Sequence, residues 1–165
     1  MLAYFARAVH RAERQLFARA VAFSESVVDR CSRAPVTVPR MAVARRGFVS
    51  IDCADPGPLA EFWAAMLGGE VMFTTDGAVD VRTEWLWISA MKVDGYTPPT
   101  WPGSEVPKQV HLDLAVDDLD AAVAEAQALG ARLSDVQPAP GHWRVLIDPA
   151  GHPFCVTTLI PPEAQ

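Results

Sequence analysis

Between Val110 and Ala131 the chain reads VHLDLAVDDLDAAVAEAQALGA, a pattern that spells strand, cap, helix and stop. Leu112, Leu114 and Val116 alternate with His111, Asp113 and Ala115, the period of a strand with one apolar face and one face toward something polar. Asp117 and Asp118 supply an N-cap, and Leu119, Ala122, Val123 and Ala126 recur at helical spacing. Gly130 stands where a helix wants a left-handed C-terminal residue. His111 is therefore predicted to point away from the face on which the helix packs.

The same order occurs earlier. Val49, Ile51 and Cys53 alternate with Phe48, Ser50 and Asp52; Asp55 then caps a helix with Pro56 in its first turn, and Leu59, Phe62, Trp63, Met66 and Leu67 form an apolar stripe ending at Gly68-Gly69. Aligning Asp55 with Asp118 places Phe48 against His111 and Ser50 against Asp113, an internal repeat of about sixty residues. Strand-rich runs follow each helix: Glu70 to Thr75, Val79 to Arg82 and Trp85 to Val93 in the first copy, Arg132 to Val136, His142 to Ile147 and Phe154 to Ile160 in the second. Asp94 to Lys108, rich in Pro and Gly, is a linker. The expectation is an α+β domain over 47–161, built of two βαβββ modules at about 47–93 and 109–161. One helix covers only one face of each small sheet, so the two halves are expected to pair around a shared concavity.

Residues 1–46 differ in kind. Leu2, Phe5, Val9, Ala12, Leu16, Ala20, Phe23 and Val27 describe an amphipathic helix with Arg7, Arg11 and Arg14 on its other side, followed by a Pro-containing linker from Ser32 to Arg40. Three readings stand: a membrane-surface or transit-type helix, a helix packed on the domain or on a partner subunit, and an extension preceding a true start at Met41. No run is long and apolar enough for a membrane span.

Charge sharpens this division. The arm carries nine Arg against Glu13, Glu25 and Asp29, a net +6, whereas residues 47–165 carry −12. An acidic main body excludes a nucleic-acid groove there, because phosphate binding needs clustered Lys and Arg. Half the residues are apolar, enough for a sizeable core in one domain. Cys31, Cys53 and Cys155 form no CxxC pair or disulfide framework, which suits a reducing cytoplasm.

The element order, with DCADPGPLAEFWAAMLGG, VDGYTPPTWPG, HLDLAVDDLDAAVAEAQALGA and DPAGHPFCV, resembles the glyoxalase/bleomycin-resistance/dihydroxybiphenyl-dioxygenase superfamily, and within it the bacterial glyoxalase-like proteins. The resemblance covers roughly Gly47 to Pro161. It implies a metal position on the first and last strand of each module, carried here onto Phe48, Met91, His111 and Cys155. Phe48 cannot ligate, Met91 is a soft thioether, and Cys155 stands where a carboxylate is expected, so no metal or other cofactor is expected. The resemblance also implies a homodimer.

Strand alternation puts Phe48, Ser50, Asp52, Trp87, Ser89, Met91, His111, Asp113, Cys155 and Thr157 on the face opposite the helices. Trp101 and Trp143, with His142 and Arg144, lie near segment ends where they could rim that face. Arg144 is open to a ligand carboxylate, or to Asp135 or Asp148. A mostly apolar lining with few polar groups suits an uncharged or aromatic small molecule. The alternatives are a lyase or isomerase with His111 as general base, and a structural subunit assembled through the arm. Singly, His111 also reads as a hydrogen-bonded lining residue and Cys155 as an inert buried thiol.

Overall fold

The computed structural model describes residues 47–161; the arm helix, its linker and the Met41 start lie outside them. The first module is β1 (Val49–Cys53), α1 (Pro56–Met66), β2 (Glu70–Thr74), β3 (Ala78–Arg82) and β4 (Trp87–Lys92). The second is β5 (Asp113–Ala115), α2 (Leu119–Ala128), β6 (Arg132–Leu133), β7 (Trp143–Ile147) and β8 (Pro153–Thr157). Each makes a four-stranded sheet, ordered β1-β4-β3-β2 and β5-β8-β7-β6, in which the first strand runs parallel to the last and the other pairs are antiparallel.

The predicted caps form. Asp55 accepts from the Gly57 amide, with Pro56 in the first turn, and Asp118 accepts from the Asp120 and Ala121 amides at 2.9 Å. Gly68 and Gly130 end the helices at φ +62° and +112°, a backbone region that favours glycine.

Several strands stop short of their apolar runs because a side chain replaces the ladder. β4 begins at Trp87 rather than Trp85, since the Thr83 hydroxyl donates to the Leu86 carbonyl and accepts the Leu86 amide, closing a tight turn. β6 is two residues long because the Gln137 side chain takes over the pairing. Its amide nitrogen donates to Ser134 and Val145 carbonyls, and its oxygen accepts the Val145 amide. β8 ends at Thr157, whose hydroxyl accepts the Leu159 amide and donates to the His142 carbonyl.

What joins the modules is the side of each sheet that carries the helices. α1 packs on β3 and β4 of its own sheet, while its Phe62 and Trp63 rings meet Phe154 of β8 edge to face, with centroids 5.9 and 5.2 Å apart. One buried cluster therefore runs from Ile51, Val81, Ile88 and Ala90 through Leu59, Phe62 and Trp63 to Leu114, Leu146, Phe154 and Val156. Burying Trp63 and Phe154 almost completely contributes several kcal/mol, roughly 1.5–3 per large apolar side chain. The cost of truncating either would be larger still, because a cavity would remain.

Candidate functional site

Opposite that core, each sheet presents one face of alternating residues. On the first sheet the register sets Ser50 beside Ser89, Ser89 beside Asp80, and Asp80 beside Phe73. Asp52 and Met91 pair in the next row, and Phe48 meets Trp87 edge on, centroids 5.1 Å apart and planes at 89°. The Ser89 hydroxyl donates to Asp80 Oδ1 at 2.5 Å and lies 3.3 Å from Met91 Sδ. Phe48 is 50% exposed and Phe73 61%, so this is an aromatic platform open to its surroundings. Phe73 and Asp80 were absent from the residues expected here. The alternation of Ala78, Asp80 and Arg82 with Val79 and Val81 was the available signal for Asp80, whereas Phe73 reaches the face through a β-bulge between Val71 and Phe73 that no local pattern announces.

On the second sheet Asp113 pairs with Cys155 and Val145 with Cys155, while Thr157 pairs with Trp143, placing Asp113, Cys155, Val145, Thr157 and Trp143 on one face. His111 joins them just ahead of the ladder. Its Nδ1 lies 2.8 Å from the Pro153 carbonyl, which can only accept, so Nδ1 carries a proton and the ring orientation is fixed. Nε2 lies 3.3 Å from Cys155 Sγ and 3.6 Å from Asp113 Oδ1. The neighbouring imidazole holds the Asp113 carboxyl below the usual carboxylate range. Burial, with the Asp113 charge, pushes the Cys155 thiol up to about 12, so it is not a nucleophile at neutral pH.

The expected lining residues thus fall into two groups. Phe48 meets Trp87 and Ser89 meets Met91 on one face of the first sheet; His111, Asp113 and Cys155 meet on the second. Among the described residues no hydrogen bond, ion pair or ring contact joins one group to the other. The reason lies in the packing: both sheets turn their helix sides to the common core, so both site faces point away from it.

The register also corrects the repeat. Because Ser50 opposes Ser89 as Asp113 opposes Cys155, the counterpart of Cys155 is Ser89, two residues before Met91. Neither substitute rescues a four-ligand cage, since Phe48 has no donor atom and the Ser89 hydroxyl is committed to Asp80. The residues present do not fit the metal centre that the resemblance implied. Arg144 is a second correction: it lies on the helix side of β7 opposite Val156, with Nη2 3.2 Å from Asp120 Oδ1 of α2, and meets neither Asp135 nor Asp148.

A separate belt ties the linker to both modules. Tyr96 donates to the Ala150 carbonyl at 2.9 Å, and His152 Nε2 lies 2.9 Å from Tyr96 Oη and 2.6 Å from the Asp52 carbonyl, so that nitrogen is a donor. A cavity of about 310 Å³ lies beside it, lined by Ser50, Asp52, Tyr96, Gln109 and His152 among others. Burial raises the Tyr96 hydroxyl well above its ordinary range, so it holds structure here rather than moving protons. Cys53 and Cys155 are free thiols, and no described helix is long and apolar enough to cross a membrane.

Comparison with known proteins agrees with this architecture. The glyoxalase-like domain family matches residues 48–157. Two curated relatives, each described as "Putative glyoxylase CFP32", from Mycobacterium bovis (strain ATCC BAA-935 / AF2122/97) and Mycobacterium tuberculosis (strain CDC 1551 / Oshkosh), are 38% identical over 76 residues. That match covers 44% of this chain and 28% of theirs, so the chain spans little more than a quarter of their length. Among solved structures, the fosfomycin resistance protein FosX of Listeria monocytogenes superposes with TM-score 0.53 at 15% identity over 70% of this chain and 93% of its own. A glyoxalase/bleomycin resistance protein/dioxygenase family enzyme from Burkholderia phytofirmans PsJN gives TM-score 0.52 at 18% identity, over 68% and 97%. Paired βαβββ modules, the match across 48–157 and these neighbours together make the chain a member of the glyoxalase-like domain family, within the vicinal oxygen chelate superfamily.

Proposed function

We propose that this protein binds a small apolar or aromatic molecule on its two site faces, without the four-ligand metal cage of its superfamily. The observation that carries the reading is the edge-on pair of exposed Phe48 and half-buried Trp87, on the sheet face that also carries Phe73 and Met91: an aromatic surface where the resemblance would put a metal ligand. Offset or edge contacts with such rings stabilise a planar guest by about 0.5–1.5 kcal/mol beyond area burial. Since the two faces point away from the common core, a second copy would complete the cup, the first-sheet face of one protomer covering the second-sheet face of its partner. A twofold axis then produces two equal cups and buries Phe48 and Phe73. Two buried free thiols suit a reducing, cytoplasmic setting.

The test is a thermal-shift and tryptophan-fluorescence screen with uncharged aromatic compounds, paired with sedimentation analysis. A hit should raise the melting temperature in wild type and lose its effect in Trp87→Ala, and Phe48→Glu should shift the protein to monomer. Binding unaltered by Trp87→Ala would overturn the reading.

A second reading is favoured by one specific contact. The Nδ1–H bond to the Pro153 carbonyl fixes the His111 ring so that Nε2 is the nitrogen on the site face beside Asp113 and Cys155, the atom that would act as general base in the neutral ring. Such a lyase or isomerase would fit the description of the mycobacterial relatives as glyoxylases. His111→Ala with unchanged turnover of a discovered substrate would dispose of it.

A further inference from the structure

We infer that the free edge of β5 is a docking site for an extended, basic peptide segment, which adds to the second sheet as a further strand. β5 pairs with β8 on one side and with no other strand. The Leu112 carbonyl accepts the Cys155 amide and the Val116 amide donates to the Thr157 carbonyl, so the backbone groups of Leu112, Leu114 and Val116 turn toward β8. By alternation the amides and carbonyls of Asp113 and Ala115 turn the other way, and both residues are exposed. A strand edge of this kind holds another chain through main-chain hydrogen bonds.

A groove of about 560 Å³ runs along that edge. Met66 and Leu67 near the end of α1, Leu129 at the end of α2, Ile160 and the 65% exposed Trp85 give it apolar walls. A strand laid there would set alternate side chains beside Leu114 and Val116, against those walls, and the others on the side of Asp113. Asp113 and Glu125 are the charged residues of the lining, and among the described residues no Lys or Arg shares it. Charge therefore selects a basic segment. It also opposes a second copy of the same edge, which would bring like charges together.

The first module shows what kind of chain covers such an edge. β1 holds the same place in its sheet, with Ser50 and Asp52 in the positions of Asp113 and Ala115. There the linker lies across the edge: Tyr96, Pro99 and Val106 share a cavity of about 310 Å³ with Ser50 and Asp52, and His152 donates to the Asp52 carbonyl at 2.6 Å. Of the chain after β8, only Ile160 and Pro161 among the described residues line the β5 groove, and no described side chain donates to the Ala115 carbonyl. The second edge is thus open where the first is roofed by extended chain. Nothing in this depends on a ligand at the Phe48–Trp87 surface.

The experiment uses the full chain and three synthetic ten-residue peptides with blocked ends: alternating Val and Lys, alternating Val and Glu, and the Val-Lys peptide N-methylated throughout. The Val-Lys peptide should bind at one equivalent per chain by calorimetry. Amide exchange followed by NMR should slow at Asp113 and Ala115 on binding, while Leu114, already paired with β8, keeps its rate. The other two peptides should bind about tenfold more weakly or worse, the loss expected for one or more hydrogen bonds or charge contacts. Ala115→Pro removes one edge amide and spares the ladder to β8, so it should weaken binding, as should Glu125→Lys at an exposed helix position. Where Ala115→Pro does not fold, the exchange pattern and the N-methylated peptide still decide. Absence of binding at millimolar peptide, equal binding of the Val-Glu or N-methylated peptide, or unaltered exchange at Asp113 and Ala115 would overturn the inference. So would protection of those amides that grows with protein concentration without peptide, which would give the edge to a second copy.

Discussion

Trp63 of α1 donates its indole N–H to Asp148 Oδ2 at 3.2 Å, a hydrogen bond spanning 85 residues that fastens the helix of the first module to the β7–β8 turn of the second. The other carboxylate oxygen accepts the Ala150 and His152 amides, so both oxygens serve as acceptors. Asp148 is 4% exposed. Asp148→Asn would turn an NH₂ group toward either the indole N–H or the two amides. The expected cost is about 1–3 kcal/mol, the penalty of a buried donor left unsatisfied. Trp63→Phe should cost a comparable amount, and the double variant less than the sum, because the two side chains share one interaction. Urea unfolding of the four proteins measures all three quantities; additive losses would mean that the bond contributes nothing of its own.

Gly69 permits a close approach that no other residue can make. A Cβ there would lie 2.6 Å from the Arg82 carbonyl oxygen and 2.8 Å from Thr83 Cγ2, and the first of these is backbone that cannot swing aside. Gly69→Ala should destabilise the fold by about 1–3 kcal/mol, the usual range for overpacking. Gly77→Ala, with open space around the same position, is the control for the general effect of removing a glycine. Equal melting temperatures for the two variants would contradict the contact.

Cys53 is fully buried, donates to the Met91 carbonyl at 3.3 Å, and has its thiol pushed up to about 11, first by burial and then by Asp55, Asp148 and Asp52. A thiol with a raised folded-state value adds stability that is fully present below its ordinary value and is lost as pH climbs through the raised one. The stability gap between wild type and Cys53→Ala should therefore hold steady up to about pH 8.5 and narrow toward pH 11. Denaturant midpoints across that window measure it. A gap that widened with pH would reverse the assignment.

Arg144 pairs with the exposed Asp120 on the helix side of the second sheet, not on the face that carries His111 and Cys155. An ion pair with one exposed partner contributes under about 1 kcal/mol. Arg144→Gln should lower stability slightly and leave aromatic-ligand binding unchanged. Loss of that binding would place Arg144 on the site after all.

Local order was legible because it is written in short-range chemistry. Asp55 and Asp118 cap where they stand, Gly68 and Gly130 stop the helices, and the period-2 alternation assigned His111, Asp113 and Cys155 to one side of a strand from their neighbours alone. The duplication was visible for the same reason, since each copy repeats those signals at the same offsets but for one residue of slip within the helix. Strand ends were less legible: the Thr83 turn and the Gln137 side chain that replaces β6 pairing depend on groups meeting across a turn or between strands.

What the tertiary structure alone decided is which faces look at each other. Alternation marks two faces of a sheet as different, but it does not say which module's apolar side will cover the other. Here Phe62, Trp63 and Phe154 draw the helix sides together, so the aromatic platform and the His111 group face outward from one core. Register was likewise beyond local pattern: parallel pairing put Cys155 beside Asp113 and Ser89 beside Ser50, and moved the repeat's counterpart of Cys155 away from Met91. Period and capping are properties of neighbours in sequence, whereas facing and register are set by the free energy of burying one whole surface against another.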